Sequence, residues 1–191
     1  MFGFLFAYTQ RAIYAKEAET GYTDHYDMFG NMGWTSGFRV GVHYDFNFAW
    51  WIGMRLGFFY EMGFEQQSVS LEYYDSYYDL NLNLPVELSL NIPFSSRSGL
   101  RLRGGLGFDL NCFAELYDSR DSYVENYSLD YGDGFINRFN MSLDFGVSIH
   151  IKGVMFDITY QKGITSHRFA EGYHTTIDQI TAGVSFLITD F

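Results

Sequence analysis

The chain of 191 residues has one cysteine, two prolines, and twelve lysines and arginines against 23 acidic residues. Each scarcity excludes something. The lone Cys112 cannot close an internal disulfide, so no disulfide framework holds this fold. A net charge of −11 excludes a basic face for nucleic acid. No apolar run approaches the ~18 residues that a membrane helix needs. Charged residues make up 18% of the chain, below the roughly 25% of an ordinary soluble domain. There is no Cys/His metal spacing and no phosphate loop, so the sequence implies no metal and no cofactor.

What the chain does have is aromatic and glycine residues. Phe, Tyr and Trp make up 20% of it, with 20 Phe and 16 Tyr, and Gly contributes another 20 residues. A water-soluble protein this aromatic needs a large core, whereas a barrel in lipid can turn its aromatics outward. The strongest pattern lies between Leu80 and Ile92. Every second residue there is branched and apolar: Leu80, Leu82, Leu84, Val86, Leu88, Leu90 and Ile92. Asn81, Asn83, Pro85, Glu87, Ser89 and Asn91 sit between them. A period of two makes a strand with one apolar and one polar face.

The same alternation recurs in eight segments, at about 2–14, 36–46, 50–64, 78–92, 100–116, 137–151, 153–164 and 177–189. Each reaches the ~9–11 residues with which a tilted strand crosses a bilayer. Connections alternate in length: about 15–35, 65–77, 117–136 and 165–176 are long, whereas Asp45–Ala49, Pro93–Gly99 and Lys152 are short. Long outer loops and short periplasmic turns are the asymmetry of bacterial membrane barrels. The expected fold is therefore all-β: one eight-stranded antiparallel up-and-down transmembrane β-barrel spanning residues 1–191, with both termini in the periplasm. Met1 to Ala15 has no basic segment ahead of its apolar stretch and reads as the first strand. Export then implies a signal removed ahead of it.

The non-apolar face settles which side is inside. A soluble barrel solvates its outer face with many Lys and Glu. Here that face carries Gly, small amides and hydroxyls, with Arg39, Arg55, Arg101 and Arg103 beside Glu61, Glu87, Asp109, Asp144 and Asp157. Mixed charges with small fillers suit a narrow lumen, which eight strands leave just wide enough for side chains to fill. A small dry lumen demands a carboxylate for each arginine. Arg101 and Arg103 are expected to pair with Glu87 and Asp109 on neighbouring strands. Cys112 falls on the apolar face as a small hydrophobe. Pro85 lacks a ladder donor, so a local break or bulge is expected there.

Several stretches resemble a known family. Gly37-Phe38-Arg39-Val40-Gly41-Val42, Leu82-Asn83-Leu84-Pro85-Val86-Glu87-Leu88, Arg103-Gly104-Gly105-Leu106-Gly107, Tyr160-Gln161-Lys162-Gly163-Ile164 and Gly183-Val184-Ser185-Phe186 are similar to the small outer-membrane β-barrel domain family, the PorT-like and OmpX-like barrels of Gram-negative bacteria. The resemblance runs from about Gly37 to the end and includes a proline in the Pro85 context. It implies an outer-membrane location and says little of activity. Thr181, Gly183, Phe186 and Ile188 resemble the C-terminal assembly signal of such proteins, read by the barrel-assembly machinery as an added strand. Phe191 has the opposite parity to Phe186, which leaves the end of that signal open.

The long connections are acidic and rich in tyrosine. Tyr73, Tyr74, Tyr77 and Tyr78 sit among Glu65, Glu72 and Asp75, and Tyr123, Tyr127 and Tyr131 among Asp118, Asp121, Glu125, Asp130 and Asp133. Such tyrosines can form a recognition surface or simply sit as interfacial aromatics. Of the histidines, His43 and His150 are expected near the short-turn end of the lumen. His167 beside Ser166 and His174 near Asp178 could be cast as lipid-acting catalysts, but no nucleophile motif accompanies them. The expected function is a non-enzymatic barrel with a filled lumen, acting in structure, in surface interaction or in an envelope complex. Its expected partners are outer-membrane lipids, the assembly machinery and other envelope proteins. A small-solute channel and a lipid-modifying enzyme are the alternatives.

Overall fold

The computed structural model describes the backbone of residues 1–17, 23–26, 35–68, 74–118, 123–126, 139–165 and 173–188, and side chains over a narrower set, 1–12, 35–64, 78–113, 139–165 and 176–188. Ten strands are present among these residues: β1 (Phe2–Glu17), β2 (Thr23–Tyr26), β3 (Thr35–Asn47), β4 (Ile52–Ser68), β5 (Tyr74–Ser95), β6 (Ser98–Asp118), β7 (Tyr123–Asn126), β8 (Phe139–Ile151), β9 (Val154–Gly163) and β10 (Tyr173–Ile188). No helix among the described residues is long and apolar enough to cross a membrane.

Eight long strands close into an antiparallel barrel in the ring order β1-β3-β4-β5-β6-β8-β9-β10, and β10 pairs back onto β1. The closing seam runs from Phe2↔Ile188 to Glu17↔Tyr173. It places the two described chain ends together at the short-turn end. The short strands lie farther out: β2 pairs with Ile13–Lys16 of β1, and β7 with Glu115–Asp118 of β6. Partner residues can be followed once round the ring, from Phe2 through Tyr44, Leu56, Val86, Leu106, Leu143, Lys162 and Asp178 to Ala12. The circuit returns ten residues higher on β1. That stagger sets the strand tilt and brings residues far apart in register to one level of the lumen.

The eight alternating segments correspond to these eight strands, and the apolar residues face outward. Phe6 is 58% exposed, Leu88 60% and Phe145 55%, each flanked on its strand by less exposed residues. Water does not tolerate an apolar belt that encircles a protein, whereas hydrocarbon requires one. The buried apolar cluster is small, comprising Leu5, Ala7 and Phe59. At the short-turn end, Phe48, Trp50 and Trp51 form an aromatic turn between β3 and β4, suited to the lipid headgroup level. Lys152 and Gly153 both take positive φ, 48° and 89°, in a two-residue turn between β8 and β9. That is the hairpin turn whose twist matches its flanking strands.

The structure corrects five boundaries. Asp45, expected in a turn, lies within β3. Strands β1, β4, β5 and β6 continue well into the expected long connections, to Glu17, Ser68, Tyr74 and Asp118. In these extensions the sequence alternation fades while backbone pairing persists. At Pro85 the pairing with β4 lapses, passing from Leu56↔Val86 to Phe59↔Asn83 without a change of register. The local break is there, and Pro85 keeps its place opposite Gly107 on the other side. A bulge occurs instead at Cys112, the extra residue between Leu80↔Phe113 and Asn81↔Asn111. Cys112 is exposed on the outer surface.

Candidate functional site in the barrel lumen

Inward positions on the strands carry Arg11, Arg39, Arg55, Arg101 and Arg103, all less than a tenth exposed. Asp45, Glu61, Asp79, Glu87, Asp144 and Asp157 are equally buried, and Asp109 is half-buried. A buried charge without a partner costs several kcal/mol, so the partners define the site.

Near the short turns, three arginines meet three carboxylates. Arg55 Nε donates to Asp45 Oδ1 at 2.7 Å and its Nη1 to Asp157 Oδ2 at 3.0 Å. Arg103 reaches Glu87 Oε2 at 2.6 Å with one Nη and Asp157 at 2.8 Å with the other. Arg101 Nη1 lies 2.6 Å from Asp45 Oδ2, and its Nε donates to Asn91 at 2.7 Å. Ser148 and Thr159 donate to Asp157, each at 2.9 Å. His43 Nδ1 stands 3.3 Å from Asp45, and His150 packs against Gly99, so both histidines lie at the expected end.

Nearer the long connections, the balance changes. Arg11 bridges Glu61 and Asp79, and its Nε also donates to Gln179 at 3.0 Å. Arg39 Nε donates to Glu61 Oε2 at 2.7 Å, and its Nη2 to Gln161. Gln179 donates to Glu61 at 2.8 Å, and Gln161 to Asp144 at 3.0 Å. Asp144 also accepts from Ser142 at 2.6 Å. Asp109 accepts from Asn83 Nδ2 at 2.6 Å.

Phe59 lies between Arg55 and Glu61 on the inward face of β4. Its ring lies between Gly41 and Gly57. A Cβ at Gly41 would stand 2.8 Å from the ring and 2.2 Å from the Phe58 carbonyl, and one at Gly57 2.5 Å from the ring. The glycines therefore make room for the phenyl group. The Arg39 guanidinium carbon sits 5.7 Å from the ring centroid, within cation–π range. A cavity of about 10 Å³ remains beside Leu5, Phe59, Pro85, Glu87 and Asp144. That is room for about one water molecule.

All nine charged residues expected in the lumen point inward there. The pairing differs in detail. Arg103 meets Glu87, as expected. Arg101 instead pairs with Asp45 of β3, across the lumen, because the barrel is narrow enough for arginine to reach past its neighbours. Asp109 meets an asparagine rather than an arginine. Arg11, Asp45, Asp79, Gln161, Gln179 and Phe59 complete the site and were not singled out by sequence. Arg11, Asp45 and Asp79 each share the parity of the inward residues on their strands, and that was the available signal.

Thr181 and Gly183 face inward on β10, whereas Phe186 and Ile188 face outward beside the seam with β1. Phe191 lies outside the described residues. Tyr78 is exposed at the outer part of β5. Tyr74 and Tyr77 belong to β5 and Tyr123 to β7, so they are strand residues rather than loop residues. Tyr73, Tyr127, Tyr131 and His167 lie outside the described residues, as does the side chain of His174.

No protein-family profile matches the chain, and no curated protein does. Among solved structures, the chain is similar to Ail, the attachment invasion locus protein of Yersinia pestis, with 13% identity, 96% of this chain and 98% of that one covered, and a TM-score of 0.41. It is similar to Neisserial surface protein A, with 13% identity, 97% of each chain covered and a TM-score of 0.40. The translocator domain of the autotransporter NalP from Neisseria meningitidis gives 9% identity, 97% and 88% coverage and a TM-score of 0.44.

Proposed function

We propose that this protein is a non-enzymatic integral barrel of the bacterial outer membrane, with both termini and the short turns in the periplasm. It serves as a structural or surface-interaction protein, or as a subunit of an envelope complex. One observation carries the reading: the lumen is crossed from wall to wall by buried ion pairs packed around Phe59, leaving a cavity of about 10 Å³. A hydrated solute has no path through such a plug. The outward apolar surface supports lipid as the immediate partner. Thr181, Gly183, Phe186 and Ile188 supply the edge read by the barrel-assembly machinery during insertion, and Tyr78, exposed at the outer part of β5, offers a contact to other envelope proteins.

The test is twofold. Purified barrel, shown to be folded by heat-modifiable gel mobility, is added to a planar bilayer. Insertion without conductance steps is the expected result, and a steady open pore overturns the reading. Overexpression in cells should leave phospholipid and lipid A composition unchanged. A modified lipid that disappears with His167→Ala or His174→Ala would replace it with an enzyme.

A further inference from the structure

Among the described residues, the outer half of the lumen holds more negative charge than its arginines neutralise. Arg11 and Arg39 face Glu61, Asp79, Asp109 and Asp144. Glu61 and Asp79 are in ion pairs. Asp144 is held by neutral donors, Ser142 and Gln161, and Asp109 by Asn83. Asp109 and Asp144 thus have no ion pair among the described residues.

Around Asp109 the sheet gathers neutral oxygen donors. Asn83 on β5 and Asn140 on β8 are its direct partners on either side. Asn111 follows on the same face of β6, opposite Asn81. Asn83 is fully buried and Asn111 only 6% exposed, yet the side-chain carbonyl oxygen of each lacks a hydrogen-bond partner. A buried amide oxygen left unpaired costs free energy, on the order of 1–3 kcal/mol. Two within one hairpin, beside an uncompensated carboxylate, are an arrangement that a ligand would relieve. The carboxylate of Asp144 lies close by, over Gly107, the inward residue preceding Asp109 on β6. The bulge at Cys112 immediately follows Asn111 and breaks the local register, as bulges beside binding sites commonly do. Asp109, Asn81 and Asn140 keep partial exposure, so the cluster is open to water.

We propose that Asp109, Asn111 through its carbonyl oxygen, and Asn83 by an amide flip that exchanges its Nδ2 donation to Asp109 for its carbonyl oxygen, bind a hard divalent cation of the calcium class in the outer half of the lumen. Every donor is an oxygen, with no imidazole or thiolate among them, which selects calcium-like ions over zinc or copper. His43 and His150 lie at the other end, and Cys112 is on the outer surface. A charge of +2 matches the surplus. One directly ligating carboxylate among neutral amides makes a weak site, in the range of about 10⁻⁴–10⁻³ M known for extracellular calcium modules.

Calcium chloride titrated into the refolded full chain in detergent, followed by calorimetry and by thermal unfolding, tests the site. One class of binding is expected, with unfolding shifted upward at millimolar calcium. Asp109→Asn should weaken binding at least tenfold, and Asn111→Ala severalfold. Asn111→Asp adds a charged donor and should tighten binding about tenfold, so the proposal stays testable if Asp109→Asn fails to fold. Absence of binding at millimolar calcium overturns it. So does equal affinity in the parent and Asp109→Asn, which would place the ion on the acidic outer connections.

Discussion

The two halves of the lumen are built on opposite principles. In the half near the short turns, Arg55, Arg101 and Arg103 meet Asp45, Glu87 and Asp157 in equal number, and Asp45 and Asp157 each join two arginines. In the outer half, among the described residues, two arginines face four carboxylates, and amides carry much of the bonding. The first half is a closed electrostatic lattice whose members depend on each other. The second is under-neutralised and partly wet. The difference teaches that one barrel wall can enclose both a balanced ion-pair lattice and an amide-rich, under-neutralised layer, with Phe59 packed between them.

The largest expected effect comes from breaking the balanced half. Arg55→Met leaves Asp45 and Asp157 each short of a partner and should cost roughly 3–5 kcal/mol. Urea unfolding in lipid vesicles, followed by tryptophan fluorescence, measures it. A cost near zero would mean the lattice is not closed. The wall shared by both halves gives the next effect: Phe145→Arg puts a charge into lipid and should cost about 2–4 kcal/mol in the same assay. Beside Phe59, Gly41→Ala drives a methyl group into the Phe58 carbonyl and the Phe59 ring. Overpacking of this kind costs roughly 1–3 kcal/mol, and the readout is the unfolding midpoint. The smallest effect belongs to the surplus half. Asp109→Asn in calcium-free buffer removes a carboxylate without an ion pair and should change stability by no more than about 0.5 kcal/mol. If it costs as much as Arg55→Met, the two halves do not differ.

Lipid made the wall legible in the sequence. Hydrocarbon on one side forces strict alternation, and Leu80 to Ile92 obeys it throughout. The inward direction of Arg39, Glu61 and Asp157 followed from the same parity. Contacts across the lumen did not follow, because they depend on tilt and stagger. Arg101 finds Asp45 on a strand three places away round the ring, a relation no local pattern encodes. Phe59 was visible as an inward aromatic, but its seat in the lumen emerges only with Gly41 and Gly57 packed on either side. The outer extensions of β4, β5 and β6 were hidden because the sequence alternation fades there, although the backbone pairing continues.

The seam between β1 and β10 bears on how the protein is made. Phe2 pairs with Ile188, so the last of the eight long strands in chain order completes the first. Until β10 arrives, β1 carries a row of unpaired amides and carbonyls that hydrocarbon does not accept. No partial chain has a stable place in the bilayer, and insertion cannot proceed strand by strand as the polypeptide emerges. The wall therefore commits to lipid only when β1 and β10 have met, and the seam between them is the step on which insertion turns.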